Sequence, residues 1–174
     1  GRDRQEHLKR CALAGFAGYR VFLAQSANDA RTAEVAPARS VVILPFTAGG
    51  SGAESTMLAA GLSSEFARLI AAGMRGWRVA EPPAMQGADA RAVARAANVR
   101  YVVAGEVQRL AGETSLTVRI VDGAEANRIA TEQRNLPSGD AGVRQDAVLA
   151  DMVRSVRIAL EGEEARREKA PENP

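Results

Sequence analysis

The chain has 174 residues, enough for one domain of ordinary size with segments outside it. Hydrophobic residues make up 46% and aromatic residues only 4%, so a core has to be built from Val, Leu, Ile and Ala. The formal net charge is +2 with arginines spread along the chain, which argues against a nucleic-acid surface, and the single cysteine, Cys11, excludes an internal disulfide.

Residues 1–10 are polar and basic, with Arg2, Arg4, Lys9 and Arg10 against Asp3 and Glu6. The run Cys11 to Ala24, C-A-L-A-G-F-A-G-Y-R-V-F-L-A, is apolar on every side of a helix except at Arg20. Such a helix is normally buried in protein or lipid. Fourteen residues at ~1.5 Å each reach roughly 21 Å, short of the ~30 Å hydrocarbon layer. Three readings fit: a membrane helix, a helix docked on protein, and the core of a signal peptide. The absence of an initiator methionine fits a processed or trimmed chain.

The expectation is a membrane-associated or docking helix within residues 1–27. Leu13, Phe16, Tyr19, Val21, Phe22 and Leu23 would meet lipid or a partner. If it spans, the excess of Lys and Arg before it places the N-terminus in the cytoplasm and the following domain in the periplasm, at a bacterial inner membrane. Leu8-Lys9-Arg10 before Cys11 lack the small apolar residues of a lipid-attachment site. The stretch 25–39 is small, polar and without period, and 28–39 reads as a linker.

Ser40 to Phe46, S-V-V-I-L-P-F, reads as a buried strand stopped by Pro45. T-A-G-G-S-G-A (47–53) reads as a flexible loop. From Glu54 to Gly73 a helix places Leu58, Leu62, Phe66, Leu69 and Ile70 on one face. Trp77 to Ala80 is a second strand, closed by Pro82-Pro83. A helix starts at Asp89, whose carboxylate can accept from unpaired amides, and stops at Asn98, a residue that tolerates the left-handed conformation. Strands follow at Tyr101–Arg109 and Thr114–Val121, with a tight turn at Ala111-Gly112-Glu113 between them. Asn127–Arg134 is a further strand after a turn at Asp122-Gly123. Gln145–Leu160 is a helix with Val148, Leu149, Met152, Val153, Val156 and Leu160 on its apolar face, and 161–174 reads as a charged, fraying tail. The fold class is α/β (α+β): a mixed sheet in the order β-α-β-α-β-β-β-α over residues 40–160, with the N-terminal apolar helix outside it.

This domain resembles the N-terminal-domain type of TolB, as it recurs in CadC-like regulators, adenylate cyclases and kinases of bacteria. The stretches that carry the resemblance are S-V-V-I-L-P-F (40–46), A-A-G-L-S-S-E-F (59–66), W-R-V-A (77–80), D-A-R-A-V-A-R-A-A-N-V-R-Y-V-V-A-G-E-V-Q-R (89–109), L-T-V-R-I-V-D (116–122) and Q-D-A-V-L-A-D-M-V-R-S-V (145–156). The chain departs from the pattern at Ala60, where an Asp is usual, and at Asn98, where a Gly is usual. It departs again in N-R-I-A-T-E-Q-R (127–134), which lacks the usual aromatics. The resemblance implies protein–protein contact and not chemistry.

The residues point the same way. Gly49-Gly50-Ser51-Gly52-Ala53-Glu54-Ser55 sits where phosphate loops sit, but no lysine follows the glycines and Glu54 would repel a phosphate. His7 is the only histidine, so no zinc cluster is expected. Glu65, Glu106 and Asp122 lie on different elements, and Ser63-Ser64 has no histidine to activate it. The sequence therefore reads as a non-enzymatic, membrane-tethered accessory or scaffold subunit without cofactor or metal. Its partners would be other proteins of an envelope or membrane complex, and the bilayer through the N-terminal helix, not nucleic acid. The alternative is a sensor or ligand-binding domain of a larger regulator, cyclase or kinase.

Overall fold

The computed structural model describes residues 36–50, 52–85, 89–110, 112–137 and 142–170. The N-terminal residues Leu13, Phe16, Tyr19, Val21, Phe22 and Leu23, and the linker through Val35, lie outside the described residues.

The first strand, β1 (Ser40–Ile43), is buried along its whole length because it is flanked on both edges and covered on both faces. It pairs in parallel with β3 (Arg78–Ala80) and with β4 (Tyr101–Leu110). Val41 and Ile43 enter the main core and Val42 a smaller one behind the sheet, which is why the strand reads as an unbroken apolar run. Pro45 has no N–H to give, and the chain bulges there. It then returns as β2 (Thr47–Gly49), which continues the parallel pairing with β4. Ile43 pairs with Val103 and Thr47 with Glu106, so three residues on one strand face two on the other.

This is a correction to the expected loop at 47–53, whose first three residues form a strand. The bulge is held by two contacts. Ser63 Oγ accepts the Phe46 amide at 3.1 Å, so that serine is not merely solvated. The Phe46 ring lies over Gly105, where a Cβ would come within 2.3 Å of it, and sits 5.3 Å from the Phe66 ring.

Two helices cover the main face. The first, α1 (Ala53–Gly73), buries Ala59, Leu62, Phe66 and Ile70. The last, α3 (Gly142–Lys169), buries Leu149, Met152, Val156 and Leu160 against the same core. The short helix α2 (Ala90–Ala97) packs Val93 and Ala94 on the opposite face, with Val42, Val99 and Val102. Its ends are as expected: Asp89 Oδ1 accepts the Ala92 amide at 2.7 Å, and Asn98 is left-handed at φ 49°. The crossovers β1–α1–β3 and β3–α2–β4 step in opposite directions across the sheet. Right-handed connections then put α1 and α2 on opposite faces, as found.

The remaining strands, β5 (Glu113–Asp122) and β6 (Arg128–Leu136), form an antiparallel meander after β4, giving the order β3-β1-β4-β5-β6. Leu116, Val118 and Ile120 face the helices, while Ser115, Thr117 and Arg119 face away. Gly123 lets the β5–β6 turn approach α2, since a Cβ there would meet Ala94 Cβ at 2.2 Å. The α/β mixed sheet is thus the expected one with β2 added. The second difference is α3: the expected charged tail from Glu161 is helical through Lys169. Its polar residues are pinned to the sheet by the network described next.

Candidate interaction surfaces

A buried polar network lies where β4 begins, β5 ends and α3 finishes. Tyr101 is fully buried, and its hydroxyl donates to Glu164 Oε1 at 2.7 Å. Arg100 Nη1 donates to both oxygens of the same carboxylate, at 2.9 and 3.1 Å. One turn further on, Arg167 pairs with Asp122 and lies over the Tyr101 ring, 5.8 Å from its centroid. The other oxygen of Asp122 accepts the amides of Ala124 and Glu125 and closes the β5–β6 turn. Trp77 packs against Tyr101, ring centroids 5.8 Å apart.

Burial opposes ionisation of Glu164, but the hydrogen bonds from Tyr101 and Arg100 and the charge of Arg100 outweigh it, and its carboxyl sits below the ordinary range. Burial, then the hydrogen bond to Glu164 and its charge, push the Tyr101 phenol well above its ordinary value. One group is held ionised and the other neutral, each satisfied by the other. That arrangement latches a helix to a sheet; it leaves no free acid or base.

Among the described residues there is no group of three or more His, Cys, Asp or Glu able to hold a metal. At the glycine loop, Gly52 stands at the N-cap of α1, and Glu54 in its first turn pairs with Arg109 at 2.6 Å. Glu65 pairs with Arg68, and Glu106 with Arg119 and Gln108. Of the carboxylates weighed from the sequence, only Asp122 joins the network. Glu164, its centre, stands in a charged run whose composition reads as a solvated tail.

Two surfaces of the described residues are candidates for contact with a partner. A groove of 290 Å³ lies between α1 and α3, with Leu58, Leu62 and Leu149 as its floor and Glu65 and Asp146 on its rim; Met57 beside it is 75% exposed. The other is the outer edge of β6, with which no strand pairs among the described residues. Among those residues no helix is long and apolar enough to cross a membrane.

Comparison with known proteins places this architecture. Over 70% of its length the chain superposes on lipoprotein GNA1162 from Neisseria meningitidis, covering 97% of that chain at 14% identity with a TM-score of 0.50. The two share a fold. TolB from Acinetobacter baumannii aligns with 72% of the chain at 19% identity and a TM-score of 0.49, and only 29% of TolB is covered. In sequence, the chain is 35% identical over 81 residues to a protein named "Putative adenylate cyclase 3" in Rhizobium meliloti. That match takes in 46% of this chain but spans 14% of the relative's length. No family model matches the chain.

Proposed function

We propose that this chain is a non-enzymatic accessory module of a bacterial envelope complex, in which a TolB-like domain binds other proteins. Residues 1–27 hold it at the inner membrane and the domain lies on the periplasmic side. The observation that supports the binding role most directly is how the domain uses its polar groups. The buried ionisable side chains Asp122 and Glu164 are consumed in joining α3 to the sheet. What remains for function is surface: an apolar groove with an acidic rim and a long free strand edge. The shared fold with a lipoprotein fits this placement.

The test is extraction of the native protein in gentle detergent, followed by size analysis and mass spectrometry of whatever co-migrates. Co-migration with a defined set of membrane proteins supports the reading. Release by salt alone as a lone small particle refutes it.

A second reading is favoured by the sequence match to the cyclase-named relative: a sensory or regulatory module of a larger signalling protein. Its test is the gene. An open reading frame continuous with a cyclase, kinase or winged-helix domain on either side establishes it, and one that encodes no such domain removes it.

A further inference from the structure

The two edges of the sheet are built differently. At one end β3 has only three residues, and Pro82 and Pro83 follow close behind, so little backbone is available for pairing. At the other end β6 has nine residues, about 30 Å of strand at ~3.3 Å each, without a proline. Its side chains are mostly polar and partly exposed, and they carry both signs of charge. Glu132 and Arg134 lie on the helix-facing side, 3.1 Å apart, and Arg134 also reaches Asp151 of α3 at 3.5 Å.

We infer that a second copy of this chain occupies this edge, with β6 pairing antiparallel to β6 of its partner about a two-fold axis through Gln133. In this register Glu132 of each copy stands opposite Arg134 of the other, and Thr131 opposite Asn135. Opposite charges directly across an antiparallel pair stabilise it.

The neighbouring registers are worse for a definite reason. Sliding by two residues puts Glu132 against Glu132 or Arg134 against Arg134. Sliding by one turns one copy over, so that the two helical layers lie on opposite faces of the joined sheet. Only the Gln133-centred register keeps the layers on one side and matches both charges.

The helix beside the edge has a feature of the same kind. Asp151, Ser155 and Ile158 follow at i, i+4 and i+7, on the stripe of α3 that reaches Arg134. Ile158 is 58% exposed, and in the joined sheet it comes to lie between the two copies of α3.

The test is analytical ultracentrifugation of the purified full chain in density-matched detergent. The wild type is a concentration-dependent dimer. Glu132→Arg alone or Arg134→Glu alone sets like charges opposite one another and weakens dimerisation by at least about tenfold. An equimolar mixture of the two single variants re-forms a heterodimer near wild-type affinity, because each charge then meets its opposite. The mixture also controls for folding, since a misfolded variant does not re-form a dimer with its complement. A second readout is Gln133→Cys in a Cys11→Ser background, which gives a disulfide-linked dimer on mild oxidation. A monomeric wild type, or a dimer indifferent to both single variants, overturns the inference, as does a mixture that fails to recover. The measurement uses the chain alone, so its outcome is independent of whether other membrane proteins co-migrate.

Discussion

Glu164→Ala is the sharpest probe of the domain's construction. The carboxylate is 3% exposed and accepts three contacts, from the Tyr101 hydroxyl and from Arg100. Removing it leaves a buried hydroxyl without an acceptor, at ~1–3 kcal/mol. It also leaves a guanidinium that is only 19% exposed without its counter-ion. Breaking a fully buried pair costs ~3–5 kcal/mol, and the remaining water access of Arg100 places this case at the lower end, about 3 kcal/mol.

The protein carries its own reporter, since its single tryptophan, Trp77, packs on Tyr101. Urea unfolding followed by Trp77 emission should show the midpoint about 1–3 M lower, given slopes of ~1–3 kcal/mol per M. Tyr101→Phe removes only one charge-assisted bond and should lose ~1.5–3 kcal/mol. The two losses combined should be less than additive, because both remove the same bond. Glu65→Ala, at an exposed pair, is the control and should change little. A Glu164→Ala loss below about 1 kcal/mol, or strictly additive losses, would refute the latch.

Three further outcomes follow from the same structure. The folded-state value of Glu164 is depressed, so its stabilisation is complete above the ordinary carboxylate value of 4.5 and is lost as pH falls through the folded value. Tyr101 is raised, so its contribution is complete below 10.0 and is lost as pH rises above it; urea midpoints should form a plateau between these limits, with the alkaline fall reduced in Tyr101→Phe. Gly105→Ala drives a Cβ to within 2.3 Å of the Phe46 ring and should cost ~1–3 kcal/mol in the same unfolding assay. Asp89→Ala removes the side-chain acceptor of the Ala92 amide and should cost ~1 kcal/mol, while Asp89→Asn should lose much less.

The elements legible in the sequence were those whose signal is local. The start and stop of α2 were readable because Asp89 and Asn98 act on their own neighbours. β5 was readable because one face is wet and one is dry, and β1 because neither face is wet. β2 was not legible: Thr47-Ala48-Gly49 has the composition of a loop. It becomes a strand only because β4, 59 residues further along the chain, offers an unpaired stretch beyond the bulge. The last turns of α3 failed for the same reason. Their charges suit a solvated tail, and the groups that hold them, Tyr101, Arg100 and Asp122, lie 45 to 64 residues upstream.

A signal for the latch was nevertheless present, in the phase of the pattern and not in composition. Along α3 the buried stripe runs through Leu149, Met152, Val156 and Leu160, and the next position in phase is Glu164, with Arg167 after it. Along β5 the inward phase runs through Leu116, Val118 and Ile120, and the next member is Asp122. In each element a charged residue stands where the period calls for an apolar one. An unpaired charge in such a place is costly, so two elements that each show one are candidates to supply the partners of a shared network. Here Glu164 and Asp122 are bridged by Arg100, Tyr101 and Arg167, so that a helix end without an apolar face is still bound to the sheet. The core then ends at this latch, and among the described residues the outer edge of β6 and the groove beside α1 are left open to a partner.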